Sequence, residues 1–151
     1  MGKKKKTPVR SARIGRKRGY QVFVSHASAD KWIATTICEK IEQTGATTFR
    51  DDRDIDGADD ISDRIRKEII GSQELLVLLT PESVNRPWVL LEVGAFWGRS
   101  SNAKIVMVLC HTGVDVIPDI IKSKKAILIN ELPAYLTALK SRVKTAKETT
   151  R

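Results

Sequence analysis

"ELLVLLT", residues 74–80, places five consecutive apolar residues between an acid and a threonine. An extended segment exposed on one face would alternate apolar and polar side chains, and this one does not. A strand-length run without alternation reads as a central parallel strand covered on both faces. "AKIVMVLC" (103–110) is a second run of the same kind, and "YQVFVS" (20–25), "TTFR" (47–50) and "KAILIN" (125–130) complete five β-like segments. The stretches between them have helical periodicity. "DKWIATTICEKIEQTG" (30–45) spaces Ile33, Ile37 and Ile41 four apart and stops at Gly45. "ISDRIRKEIIGS" (61–72) does the same with Ile61, Ile65 and Ile69 before Gly71. "RPWVLLEVGAFWG" (86–98) has Pro87 where a first helical turn accepts it. Residues 111–124 read as a loop with at most a short helix at 117–121. "AYLTALKSRV" (134–143) closes the body as a helix, and "KTAKETTR" (144–151) reads as a fraying polar end. Strands alternating with helices predict an open, doubly wound α/β fold: a five-stranded parallel flavodoxin-like sheet, order 2-1-3-4-5, with helices on both faces.

Composition places the chain among ordinary globular proteins, with 41% hydrophobic and 30% charged residues in 151. The formal net charge of +9 is concentrated at one end, since residues 1–19 hold nine Lys or Arg and no acid. Removing them leaves 18 basic against 18 acidic residues, a neutral body. A domain built to grip nucleic acid would carry its charge on the folded surface. The basic stretch reads instead as a disordered tail, available for contact with nucleic acid or an anionic surface. No apolar run is long enough to span a bilayer, and no apolar segment follows the basic residues, so no secretory leader is expected. Cys38 and Cys110 lie in apolar segments without metal-ligand spacing and read as buried thiols of a reduced, cytoplasmic compartment.

Several chemistries lack their residues. Neither GxGxxG nor GxxxxGK[ST] is present to cradle phosphates. A phosphoacceptor receiver domain needs acids after the first strand and an Asp ending the third, where this chain has Ser25-His26-Ala27-Ser28 and Thr80-Pro81. His26 and His111 have no metal-ligand spacing, and the Gly-x-Ser-x-Gly elbow of a hydrolase is missing. No metal or resident cofactor is expected. In a doubly wound sheet, ligands bind beyond the carboxyl ends of the strands at the switch point. Three loops reach that edge: "SHASAD" (25–30), "DDRDIDGADD" (51–60) and "TPESVNRPW" (80–88). Their polar residues Ser25, His26, Ser28 and Asp51 would cluster there with Trp88 and Glu92, the latter one turn into the following helix.

Glu92 is the unexpected residue. Trp88, Glu92 and Phe96 are four apart and share a helical face, and burying a carboxylate among aromatics is costly unless it is paired, protonated or used. Arg86 or Arg99 would serve as a structural partner, with Leu90, Leu91, Val93 and Ala95 packing on the other sides of the helix. The functional reading is cleavage of an N-glycosidic bond to ribose. Glycoside hydrolysis ordinarily takes two carboxylates because the leaving group needs a proton. A pyridinium departs neutral without one, leaving a single carboxylate to stabilise the ribose cation, attack it, or hold the ribose hydroxyls.

Residues 20 to about 143 resemble a Toll/interleukin receptor (TIR) domain of the bacterial kind. "YQVFVSHASAD" resembles the family's first box, and "FRDDRDIDGADDISDRIRKEIIGSQELLVLLTPESV" its second strand, BB loop, second helix and third strand. "WVLLE" matches its W-x-x-x-E helix. The resemblance implies a TIR domain over 20–146, between the tail at 1–19 and a polar end at 147–151. It implies NAD+ as substrate, cleaved to nicotinamide and ADP-ribose or a cyclic or modified ADP-ribose signal, in bacterial antiphage defence. It makes Glu92 the catalytic residue and Trp88 its companion, with Ser25, His26 and Ala27 lining the substrate site and Asp51 and Arg53 contributed by the BB loop. It implies self-association through 51–60 and a separate sensor or effector partner. His111-Thr112-Gly113 stands where some enzymatic relatives carry a second aromatic. Two other readings stay open: a non-catalytic TIR scaffold, which shares the boxes, and a nucleoside deoxyribosyltransferase-like enzyme, which shares the sheet and a glutamate on ribose but fits the strand-end boxes less well.

Overall fold

The computed structural model describes residues 19–50, 63–84, 86–99, 103–117, 119 and 122–150, with the backbone alone for 63, 87–91 and 99. Within them the chain forms β1 (Gln21–Ser25), α1 (Lys31–Glu42), β2 (Thr47–Arg50), α2 (Asp63–Gly71), β3 (Glu74–Leu79), α3 (Pro87–Arg99), β4 (Lys104–Leu109), β5 (Lys125–Leu128) and α4 (Leu132–Thr149). The strands make one parallel sheet in the order β2-β1-β3-β4-β5. The basic tail, the acidic loop 51–60 and Ile61 lie outside the described residues.

The apolar run that predicted a central strand divides by parity, because successive side chains in a strand point to opposite faces. Leu76 and Leu78 join Val22, Val24, Val106 and Val108 in the core under α1 and α4. Leu75, Val77 and Leu79 join Phe23, Ile105, Met107 and Leu109 in the core under α2 and α3. Each helix contributes its apolar stripe: Ile37 and Ile41 from α1, Ile65 and Ile69 from α2, Val93 and Phe96 from α3, and Leu132, Tyr135, Leu139 and Val143 from α4. Cys38 and Cys110 are both buried. Gly45 ends the first helical segment at φ +92°, a left-handed conformation that disfavours a side chain.

Three boundaries differ from the sequence reading. The last helix runs on to Thr149 where a frayed end was expected. Its final turns are exposed and carry no apolar marker, yet Lys, Ala and Glu propagate a helix already nucleated by packing. The fifth strand stops at Leu128 instead of Asn130, because the Glu131 carboxylate accepts the Leu128 N–H at 2.7 Å and the chain turns through Ile129–Glu131. In the loop before it, a 3-10 turn forms at Val114–Val116, earlier than expected, while 118, 120 and 121 lie outside the described residues.

Glu74, the acid that opens the central strand, is fully buried at the amino edge of the sheet. Arg142 of α4 donates to it through Nε at 2.5 Å and Nη2 at 3.1 Å, and Tyr135 Oη donates at 2.8 Å. Tyr20 Oη is a further donor to the same carboxylate. Burial, reinforced by the adjacent carboxylate, holds both phenols above the ordinary tyrosine range. This cluster ties α4 to the sheet far from the carboxyl edge where the candidate site lies.

Candidate functional site

Ser25 is the last residue of β1 and is paired in register with Val77 of β3. The chain crosses over between these two strands, since α1 returns on one face and α2 on the other, so Ser25 sits at the switch point. Parity turns its side chain toward the α2/α3 layer, in step with Phe23. From that layer α3 reaches over β1 and β3, and the Ser25 hydroxyl donates to Glu92 Oε2. Both are buried, at 1% and 2% exposure. A hydroxyl donor to a carboxylate is a charge-assisted hydrogen bond. The two residues, 67 apart in sequence, meet because the first strand and the third helix converge on one crevice.

The neighbouring residues divide between described and undescribed positions. His26 and Ala27 follow Ser25 and are buried. Ser28 is half-buried and opens a 3-10 turn, Ser28–Asp30. Trp88 lies on α3 one turn before Glu92, with its side chain outside the described residues. Asp51 and Arg53 also lie outside them. Arg86 is exposed and turns its Nε to the Glu82 carbonyl at 3.4 Å, away from the expected partnership with Glu92; Arg99 lies among the backbone-only residues. Val93 and Phe96 are buried, but Ala95 is exposed rather than packed. Trp97 is partly exposed, with Lys124 Nζ 5.9 Å from its ring centroid. Among the described residues no group of three or more His, Cys, Asp or Glu is arranged to hold a metal.

One polar pair at this edge did not emerge from the sequence reading. Asp30, which closes the first loop, and Thr80, which follows β3, are both buried. Thr80 Oγ1 donates to Asp30 Oδ2 at 2.5 Å. Nearby, burial raises the Cys110 thiol above its ordinary range, helped by the negative charge of Asp30. The loops that supply the pair were legible as the strand-end loops, but their mutual contact was not, since it joins residues 50 apart in sequence.

A separate groove of about 620 Å³ opens on the α1/α4 side. Trp32, Thr36, Lys40, Cys110, His111 and Pro133 are among its lining residues, and neither Ser25 nor Glu92 is. Its exposed Trp32 and the left-handed His111, at φ 56°, stand beside the loop where a second aromatic is absent. The chemistry-bearing pair and this groove therefore lie apart.

Fold and site together define a flavodoxin-like α/β domain with a paired carboxylate at its strand-crossing edge. A family model of the TIR domain matches residues 22–139, and the chain belongs to the TIR domain family. It is 29% identical over 91 residues to the NAD(+) hydrolase TirS of Staphylococcus aureus (strain MSSA476), covering 60% of this chain and 32% of that protein. It is 26% identical over 129 residues to the uncharacterized protein YddK of Bacillus subtilis (strain 168), covering 82% of this chain and 48% of that protein. The chain thus spans about half or less of the length of these curated relatives. Among solved structures, a metazoan TIR-STING receptor from C. gigas in complex with 2',3'-cGAMP superposes with a TM-score of 0.64 at 22% identity, over 84% of this chain and 41% of that one. No described helix is long and apolar enough to cross a membrane.

Proposed function

We propose that this domain cleaves the nicotinamide–ribose bond of NAD+, with Glu92 as the catalytic carboxylate. The observation that carries the reading is the buried Ser25–Glu92 hydrogen bond at the β1/β3 switch point. It is supported by the kinship with a relative named an NAD(+) hydrolase. The C1′–N bond breaks with its electron pair moving to the pyridinium nitrogen, so nicotinamide leaves neutral and needs no general acid. Positive charge develops on C1′ and the ring oxygen. A carboxylate in low-dielectric surroundings stabilises that charge far better than one in water. Water then adds at C1′ and releases a proton, giving ADP-ribose; an internal nucleophile in place of water gives a cyclic product. In this reading Ser25, His26, Ala27 and Trp88 contact the substrate, with Asp51 and Arg53 contributed by the loop at 51–60.

Glu92 is nearly closed off in the free chain, so turnover requires an opening step. Association of TIR domains through the 51–60 region, or a separate sensor protein, supplies the trigger. The same burial favours one competing reading, a non-catalytic TIR scaffold in which Ser25 and Glu92 form a structural pair. Incubating concentrated protein with NAD+ separates the two. The enzyme releases nicotinamide, Glu92→Ala loses nearly all release while staying folded, and product masses distinguish linear from cyclic ADP-ribose. Silence from both proteins, under crowding and with the cognate trigger added, favours the scaffold.

A further inference from the structure

Asp30 occupies the N-cap position of α1, where an aspartate ordinarily accepts the free N–H groups of the first turn. Here it makes no side-chain cap and accepts instead from Thr80 Oγ1 at 2.5 Å. The Thr80 hydroxyl also accepts from the N–H groups of Glu82 and Ser83, both at 3.2 Å. Ser83 completes the knot, its Oγ accepting from Thr80 N–H at 2.8 Å and donating to the Leu78 carbonyl at 3.0 Å. On the other side, Asp30 N–H closes a turn onto the Ala27 carbonyl at 2.9 Å. The hydrogen-bonded chain therefore runs from the turn just beyond Ser25 to the turn that follows β3. Giving up a helix cap to bury a carboxylate between two loops is a poor choice for α1 alone. It links the loop that follows β1, whose last residue is Ser25, to the loop that precedes α3, which carries Glu92.

We infer that Asp30 and Thr80 are positioning residues for the Ser25–Glu92 site, a role that rests on the cleavage reading above. They touch neither Ser25 nor Glu92; they set where the two meet. Reaction rates are sensitive to such placement, since an error of about 1 Å costs on the order of a hundredfold. Thr80→Val keeps the shape and removes the hydroxyl, and Thr80→Ser restores it. The expected result is a fall in kcat of about tenfold or more for Thr80→Val with KM for NAD+ within about threefold, and recovery of most of kcat in Thr80→Ser. A Thr80→Val protein with wild-type kcat, beside an inactive Glu92→Ala, overturns the inference. Hydrogen exchange supplies a readout independent of turnover. Thr80→Val accelerates exchange in 26–30 and 81–84 while β5 and α4 keep their protection, and exchange that is unchanged or raised everywhere also overturns it. If the wild type releases no nicotinamide, the cleavage reading fails, and exchange still decides whether the two loops are tied.

Discussion

Replacing Ser25 with alanine tests the buried hydrogen bond directly. The substitution removes one oxygen, leaves β1 intact, and strips a donor from a carboxylate at 2% exposure that water cannot readily replace. A hydrogen bond to a charged group contributes about 1.5–3 kcal/mol. If that bond aims the Glu92 carboxylate at the ribose, its loss appears in the transition state. At about 1.4 kcal/mol per tenfold in rate, kcat/KM falls by roughly ten- to a hundredfold. The assay is nicotinamide release at several NAD+ concentrations, so that kcat and KM separate, with circular dichroism to establish folding. The loss should fall mainly on kcat, because a mis-aimed carboxylate binds substrate nearly as well but stabilises the cation less. A kcat/KM within about threefold of wild type, in a preparation where Glu92→Ala is inactive, refutes the idea that Ser25 orients the catalytic group.

Glu74→Leu should destabilise the domain by about 3–5 kcal/mol in urea titration, because Tyr135, Tyr20 and Arg142 lose their common acceptor. Glu74→Leu combined with Arg142→Leu should recover part of that, and a single variant within about 1 kcal/mol of wild type removes the cluster from the account of stability. Alkaline titration has a defined sign. Tyr20 and Tyr135 have raised folded-state values, so their contribution is complete below the ordinary tyrosine value near 10 and is lost as pH rises above it. Tyr135→Phe should flatten that loss, and equal pH sensitivity in wild type and variant contradicts it.

The strands and most helices were legible because burial on both faces and four-residue spacing leave a local trace. "ELLVLLT" identifies itself as central without its neighbours, and Ile37 and Ile41 mark the buried face of α1. Glu92 was legible by contrast, as an acid in an apolar helix. The end of α4 was not, because exposed turns need only propensity and carry no pattern. Nor was the role of Glu74, which the sequence presents only as the polar start of a strand.

Sequence by itself determined the layer order, the parallel sheet, the edge at which polar loops gather and the one carboxylate that stands out among apolar residues. Tertiary structure alone decided who pairs with whom at that edge. Ser25 meets Glu92, Asp30 leaves its helix cap for Thr80, and Arg86 turns away. The physical reason is range: periodicity and propensity act over a few residues, whereas the Ser25–Glu92 and Asp30–Thr80 hydrogen bonds join residues 67 and 50 positions apart, brought together when the sheet closes under its helices.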